Sequence, residues 1–370
     1  MTKTVALQKC DEYDFEKVLT CVKKLLELVP PPDVRGKTVL LKPNILYPKA
    51  PELAVCTHPV VVGAAVRAFV DLGAARVIAG ESPAIAGSAT AAKATGMYDQ
   101  VIRNGGEWAD FKEHVEVPCP DGKVLKKIEF AGQFLEADIV VSLSKLKSHQ
   151  LMAYTGAMKN LFGLMIGLEK AGCHYRFSKK EDFAAFLTDL VVAAKPQYAI
   201  MDAIVGMDGP GGPGSGDPIK LGFLAASDNI LALDWKCAEL VGYNPHNVLN
   251  LEDALGRGIW LKDPAEITTS GAAEEDCRST TFRIVRDSKA LSNQMPGIIN
   301  FLATKILTKT PHFNARKCKK CRRCEQICPA HVIKMNGADS TARLADKSKC
   351  LHCFCCHEIC PAGAIKLRRF

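Results

Sequence analysis

Two cysteine runs near the carboxyl end constrain this chain more than any other feature. Each run has the spacing Cys-x2-Cys-x2-Cys-x3-Cys-Pro, the first beginning at Cys318 and the second at Cys350. Every cysteine of the first run maps onto one of the second 32 positions later, and the proline and its flanks repeat at the same offset. The chain has 370 residues and 16 cysteines, whereas disulfide frameworks are typical of small secreted domains. The repeated runs therefore indicate metal ligation.

This spacing is typical of bacterial ferredoxins that hold two [4Fe–4S] clusters, in which the fourth cysteine of each run ligates the other cluster. The pattern predicts one cluster on Cys318, Cys321, Cys324 and Cys360, and another on Cys350, Cys353, Cys356 and Cys328. A pair of zinc sites is the alternative, because Cys-x2-Cys pairs also bind zinc, but zinc leaves the repeated x3-Cys-Pro unexplained. Cys355 falls outside the repeat register, and we expect it to be a small buried residue beside a cluster.

Charge is distributed unevenly along the chain. Residues 311–370 carry 13 Lys and Arg against 4 Asp and Glu, whereas the whole chain has a net charge of +8. The basic excess belongs to the cysteine-rich tail, so we expect no nucleic-acid partner. Residues 1–14 lack the apolar region of a signal peptide, and no apolar run reaches about 18 residues, so we expect a cytoplasmic protein without a membrane span.

Residues 1–287 alternate between strand-like and helix-like patterns, which predicts an α/β body with a mostly parallel sheet. The predicted strands are Thr4–Gln8, Thr38–Lys42, Arg76–Ala79, Ile139–Leu143, Tyr198–Val205 and Ile219–Ala226. The predicted helices are Asp14–Val29, Pro59–Leu72, Glu181–Ala194 and Asp228–Val241. We expect a linker helix over 288–310, with its apolar residues between Leu291 and Leu307, and a ferredoxin domain over 311–370 with two [4Fe–4S] clusters.

Polar residues follow several of the predicted strands, where open α/β sheets bind their ligands. Because solvated loops also place polar residues at strand ends, the coincidence over four strands matters more than any single position. The residues concerned are Lys42, Asn44, Glu81, Lys145, Lys147, His149, Asp202 and Asp208, joined by Lys159 and Asn160 further along the chain. The glycine- and proline-rich segment 206–216 is either a flexible lid or a plain connection.

Several short motifs of this chain resemble a widespread prokaryotic family that is known chiefly as a domain of unknown function and is often fused to a two-cluster ferredoxin. The motifs are Lys42-Pro43-Asn44, Thr57-His58-Pro59, Gly80-Glu81-Ser82, Lys145 to His149, and Lys159-Asn160 followed by Leu-Phe-Gly. The resemblance covers nearly the whole chain. It implies a cytoplasmic iron–sulfur protein and brings no settled reaction.

The sequence is compatible with two functions. In the first, an oxidoreductase, the ferredoxin domain relays low-potential electrons to an anionic substrate or cofactor at the sheet edge. There Lys42, Lys145, Lys147 and Lys159 would bind the anion beside Asn44, His58 and Asn160. His149 would donate a proton, and Glu81, Asp202 or Asp208 would hold a divalent cation. In the second, the protein is a non-catalytic electron carrier or assembly adaptor. The basic tail predicts an acidic redox partner, a ferredoxin or flavodoxin.

Overall fold

The computed structural model describes residues 2–285, 309–337 and 340–368. In the first range the strands are β1 Lys3–Lys9, β2 Thr38–Pro43, β3 Arg76–Gly80, β4 Glu107–Ala109, β5 His114–Pro118, β6 Lys127–Ala131, β7 Ile139–His149, β8 Ala153–Thr155, β9 Tyr198–Asp208, β10 Asp217–Ser227 and β11 Ile267–Gly271. The helices there are α1 Phe15–Leu28, α2 Pro59–Asp71, α3 Ser88–Ala94, α4 Met97–Arg103, α5 Ala157–Asn160, α6 Glu169–Arg176, α7 Lys180–Ala194, α8 Ile230–Leu240, α9 Leu249–Arg257 and α10 Glu274–Cys277.

The described body is built on a nine-stranded sheet of order β11-β1-β10-β9-β7-β2-β3-β4, with β8 paired to β7. Strands β9, β7, β2, β3 and β4 run parallel to one another, and β1 runs parallel to β11. Only β10 and the short β8 run antiparallel to their neighbours in the described sheet. The predicted α/β class with a mostly parallel sheet is confirmed.

Two apolar cores cover the two faces of the sheet, which explains why the central strands are apolar on both sides. One core contains Val18 and Val22 of α1 together with Val61 of α2. The other contains Phe186 of α7 and Trp235 of α8. Each predicted strand and helix of the body begins within two residues of the observed one, because helical and strand periodicity directly report these buried faces.

Strand β7 is longer than the sequence predicted. The predicted strand ended at Leu143 and placed Lys145, Lys147 and His149 in a loop, but β7 continues to His149. The extension forms because β8 folds back and pairs with it, Lys147 opposite Thr155 and His149 opposite Ala153. Polar residues that looked like a solvated loop therefore lie in a buried strand. Strand β9 likewise extends to residue 208, into the segment predicted to be a loop.

The ferredoxin domain repeats one structural unit, as its sequence does. Its strands are β12 Thr310–Phe313, β13 Ile333–Lys334, β14 Arg343–Leu344 and β15 Ile365–Arg368, and its helices are α11 Arg323–Gln326 and α12 Cys355–Glu358. Helices α11 and α12 lie 32 residues apart, and each follows a residue with positive φ, Arg322 at 58° and Phe354 at 64°. The predicted linker helix lies almost wholly in 286–308, outside the described residues. None of the helices in the described ranges is long and apolar enough to cross a membrane.

Candidate functional site

The ferredoxin domain contacts the body at the carboxyl ends of the central strands. Lys49 Nζ donates to the Pro361 carbonyl at 2.7 Å, and Cys355 belongs to the same apolar core as Ile45. Segment 209–216 takes part in this contact: a Cβ on Gly214 would lie 2.2 Å from the Glu358 carbonyl oxygen, so only glycine allows the approach. Segment 209–216, which the sequence predicts to be either a lid or a plain connection, is therefore part of the surface between the two domains.

Two cavities in the ferredoxin domain divide the eight repeat cysteines between them. One cavity is lined by Cys318, Cys321, Cys324 and Cys360. A second cavity is lined by Cys328, Cys350, Cys353 and Cys356, with Cys355 also at its wall. This division matches the two ligand sets that the crossed pattern predicts.

The spacing of these thiols is relevant to the zinc alternative. Four thiolates at about 2.3 Å from a zinc ion lie only about 3.8 Å apart. In the described part of the chain, no three of these cysteines have their sulfur atoms within 4.8 Å of one another. A cavity with sulfurs spread around it fits a cubane cluster better than a single ion.

The first paired group at the sheet edge is centred on Asp202, which is fully buried. Lys145 Nζ donates to Asp202 at 2.9 Å and to the Tyr13 hydroxyl at 2.8 Å. Tyr13 in turn donates to Asp202 at 3.0 Å, and the backbone N–H of His58 donates to the same carboxylate at 2.9 Å. The His58 ring stacks on Tyr13 with centroids 3.5 Å apart. Sequence reasoning missed Tyr13, because no motif or periodic pattern marks a residue just before the α1 N-cap.

A second buried group joins Lys42, Glu81 and Asn160. Lys42 Nζ contacts the Glu81 carboxylate and donates to the Pro43 carbonyl at 2.6 Å. Asn160 Nδ2 donates to the Lys42 carbonyl at 2.7 Å, which fixes α5 against β2. A Cβ on Gly163 would lie 2.2 Å from Glu81, so the glycine makes room for this ion pair. The predicted Lys-Asn-Leu-Phe-Gly motif thus surrounds a buried salt bridge.

Lys147 and Lys159 differ from these paired lysines. Lys147 is 2% exposed and donates to neutral acceptors, Asn44 Oδ1 at 2.7 Å and the Val55 carbonyl at 2.8 Å. Lys159 is half-buried, with its ammonium 5.9 Å from the Phe162 ring centroid. Neither ammonium has a carboxylate salt bridge within the described residues. Burial lowers the pKa of Lys147 to about 7 and also lowers the pKa of Lys159. The charge of Lys159 contributes to the lowered pKa of Lys147, so the two groups are within electrostatic reach of each other.

His149 lies at the end of β7, facing the ferredoxin domain. Its Nδ1 accepts the backbone N–H groups of Leu151 at 3.1 Å and Met152 at 3.2 Å, so the proton of the neutral ring is on Nε2. Nε2 lies 3.4 Å from Glu358 Oε1 of α12, and neither atom has a hydrogen-bond partner in the described part of the chain. Burial holds the pKa of His149 well below its usual range. The ring therefore presents a hydrogen-bond donor rather than an imidazolium.

The three carboxylates predicted to hold a cation lie apart. Asp208 accepts the backbone N–H of Arg283 at 2.9 Å and its guanidinium at 2.6 Å. Glu81 and Asp202 are each bound to a lysine. Among the described residues these three carboxylates do not form a group within reach of one ion. Each is instead the partner of a cationic side chain.

Two solved structures resemble this chain in part. The lactate racemase apoprotein of Thermoanaerobacterium thermosaccharolyticum superposes on it with a TM-score of 0.40 at 16% sequence identity, over 63% of this chain and 57% of that one. A protein of Thermotoga maritima gives 0.38 at 12% identity, over 63% and 60%. This chain thus spans less than two thirds of either solved chain.

The sequence matches are more specific. A thylakoid-associated protein of Synechocystis is 31% identical over 265 residues, which cover 67% of this chain and 77% of the relative. Residues 317–364 match the model of a 4Fe-4S dicluster domain, which confirms the predicted iron–sulfur domain. Residues 39–239 match the domain of unknown function DUF362. The chain therefore belongs to the DUF362 family and carries a C-terminal 4Fe–4S ferredoxin-type domain.

Proposed function

We propose that this protein is an iron–sulfur oxidoreductase whose ferredoxin domain delivers low-potential electrons to an anionic substrate or cofactor at the carboxyl end of the sheet. One observation carries the proposal: Glu358 of helix α12, between the predicted cluster ligands Cys356 and Cys360, is within electrostatic reach of the two lysines that lack a carboxylate partner in the described body. A carrier that only exchanges electrons with other proteins does not need buried cations at that position. The reaction would take place between the domains.

The proposed cofactors are two [4Fe–4S] clusters, one on Cys318, Cys321, Cys324 and Cys360 and one on Cys350, Cys353, Cys356 and Cys328. Such clusters, when bound, take up and release single electrons at low potential. The cysteines that line the two cavities support these ligand sets. Cys321 is exposed, whereas Cys356 and Cys328 are buried. The exposed set is the proposed acceptor side, and the buried set the proposed donor side.

Lys147 and Lys159 are the proposed anion-binding residues. Burying an ammonium without a counter-charge is costly, and an anion that binds between two such groups relieves that cost. Two buried groups, in each of which a lysine is neutralised by a carboxylate, would support this site. They are Lys42 with Glu81 and Asn160, and Lys145 with Asp202 and His58. Asn44 orients Lys147 through their 2.7 Å hydrogen bond.

His149 is the proposed hydrogen-bond donor to the bound anion. Its Nε2 faces Glu358 of the ferredoxin domain, and two backbone N–H groups fix the ring from the other side. A neutral donor at this position would polarise a carbonyl or carboxylate oxygen of the substrate. Loss of the Nε2 proton from this neutral ring would leave a strongly basic imidazolate, so the proposed role of His149 is to hold the anion by a hydrogen bond and not to protonate the reduced product.

The proposed redox partner is an acidic protein such as a ferredoxin or flavodoxin. Lys319, Arg322 and Arg323 line the cavity of the exposed cysteine set. Positive charge at that face raises the encounter rate with an acidic protein, mostly at low ionic strength.

Anaerobic single-turnover kinetics tests the proposal. The holoprotein is reduced with dithionite, excess reductant is removed, and reoxidation of the cluster absorbance is followed on mixing with a panel of carboxylates, phosphates and oxidised organic cofactors. We expect at least one anion to accelerate reoxidation, and Lys159→Ala to abolish that acceleration while the iron content is unchanged. If no anion accelerates reoxidation while an acidic ferredoxin still exchanges electrons, the protein is an electron carrier.

A further inference from the structure

The carboxylate of Glu358 lies at the place where the proposed substrate anion would bind, and this inference rests on that proposed function. Glu358 belongs to α12 of the ferredoxin domain and is 8% exposed. Its Oε1 is 3.4 Å from His149 Nε2. Burial raises the pKa of Glu358, and the ammonium groups of Lys159 and Lys147 act against that rise. Glu358 is thus the carboxylate that faces the two cations and the imidazole donor of the body.

The fit between Glu358 and this group is incomplete. Oε1 of Glu358 and Nε2 of His149 both lack a hydrogen-bond partner among the described residues, although both are buried. Buried polar atoms are rarely left unpaired in native proteins, so such a pair indicates a site that another group can complete. The donors of Lys159 and His149 suit a carboxylate that can approach more closely than Glu358 does.

The internal repeat shows that the ferredoxin fold does not require a carboxylate here. Position 358 corresponds to position 326 in the first unit, where α11 has Gln326. Gln326 is exposed, in a helix of the same length and in the same position relative to its cysteines. Glutamine and glutamate have nearly the same shape. The acid is therefore present at the buried position of the second unit and absent from the equivalent, exposed position of the first.

We propose that Glu358 is a built-in competitor that occupies the anion subsite of Lys147, Lys159 and His149, and that a carboxylate substrate binds by displacing it. Displacement moves the carboxylate of α12 away from the lysines, so that binding of the substrate adjusts the contact between the ferredoxin domain and the sheet edge. The substrate class that fits is a small carboxylate with a reducible group next to the carboxyl carbon, since that group would then lie on the α12 side of the subsite.

Equilibrium binding of oxalate to the oxidised holoprotein tests this inference without any electron transfer. Titration calorimetry would compare the wild type, Glu358→Gln, Lys159→Ala and the double variant of these two at constant ionic strength set with chloride. We expect Glu358→Gln to bind oxalate about tenfold more tightly or better, a gain of about 1.4 kcal/mol in binding free energy. Lys159→Ala should lose binding in both backgrounds. The matched control is Gln326→Glu, the reverse exchange in the exposed unit, which should bind oxalate like the wild type.

Three results would overturn the inference. Equal affinity of the wild type and Glu358→Gln would mean that Glu358 does not compete, and weaker binding by Glu358→Gln would mean that it belongs to the binding site. Oxalate binding by none of the proteins would mean that the subsite does not exist. Cluster absorbance of each variant reports folding. Because the proteins stay oxidised, a failure of the proposed electron transfer appears only in the reoxidation experiment and leaves this one unaffected.

Discussion

The two units of the ferredoxin domain have the same cysteine spacing and differ in the residues between the cysteines. Around the first, Lys319 and Cys321 are exposed, and Arg323 begins α11. Around the second, Leu351 replaces Lys319 and the buried Cys355 replaces Arg323. Both units reach the body, because Ile327 of the first and Ile359 of the second belong to the same apolar core as Ile45. The residues between the cysteines differ because the second unit buries more of them, Cys355 and Glu358 included, where the first exposes Lys319 and Gln326.

The largest expected effect concerns the cysteines that the two units share. Anaerobically purified protein should contain about eight iron and eight sulfide per chain, as two [4Fe–4S] clusters require. Cys318→Ser and Cys350→Ser should each reduce iron to about half, because each removes a ligand of one cluster only. Iron and sulfide analysis with electron paramagnetic resonance measures this. Cys355→Ser is the control and should keep the full content; stoichiometric zinc without sulfide would refute the assignment.

The next prediction concerns Cys355, which is replaced by arginine, the residue at the equivalent position 323 of the first unit. Cys355→Arg places an unpaired guanidinium in a buried contact that already faces Lys159, and should lower the free energy of unfolding by more than about 3 kcal/mol. Anaerobic chemical denaturation followed by circular dichroism measures the change. Cys355→Ala removes the sulfur without adding charge and should cost less than about 1.5 kcal/mol. Similar losses for both variants would mean that burial of the sulfur, and not exclusion of charge, explains the difference between the units.

A third, smaller effect is a pH dependence on the buried side. Burial lowers the pKa of Lys147 from 10.5 to about 7, so the side chain is charged below pH 7 and loses its proton in the folded protein as the pH rises above it. Oxalate affinity should therefore fall between about pH 6.5 and 8.5. Over the same window the unfolded chain keeps this proton, so the contribution of Lys147 to stability rises with pH. Lys147→Met should abolish both dependences; unchanged profiles would assign them to other groups.

The smallest expected effect concerns the exposed unit. Lys319→Glu should slow reduction of the protein by an acidic ferredoxin several-fold at about 0.01 M ionic strength, where the Debye length is about 30 Å, and much less at about 0.15 M. Stopped-flow absorbance over a salt series measures the rate. Lys366→Glu changes the net charge equally at an exposed residue that does not line the cysteine cavities. Equal slowing by both variants would mean that the rate depends on the net charge of the protein and not on the charge beside the cavity lined by Cys321.

The sequence predicted features that rest on strict spacing or periodicity. The division of cysteines between two cavities follows from the 32-residue repeat, and the order of strands and helices follows from their apolar faces. The extension of β7 could not be predicted, because Lys145 and Lys147 are polar and only their tertiary partners make a buried position favourable. Tyr13 is a similar case, since its importance comes from contacts to Asp202, far away in the sequence.

The contact between the two domains was also beyond sequence reasoning. Glu358 lies between ferredoxin cysteines, and nothing in its spacing links it to His149 of the body. Its difference from Gln326 at the equivalent position is visible in the sequence, however, once the repeat is aligned on itself. Comparing the non-cysteine residues of the two units would have indicated at which position the second unit buries a carboxylate.

The fit of Gly214 against the carbonyl of Glu358 bears on how such fusions are inherited. A ferredoxin domain taken from another protein would bring residues suited to water at the positions of Cys355 and Glu358, and would meet a glycine segment shaped for a different helix. The transplanted domain could still bind its iron–sulfur clusters, but its helix would not fit against the glycine segment at the sheet edge. We therefore expect that, among related chains, a substitution on one side of this contact is accompanied by a substitution on the other.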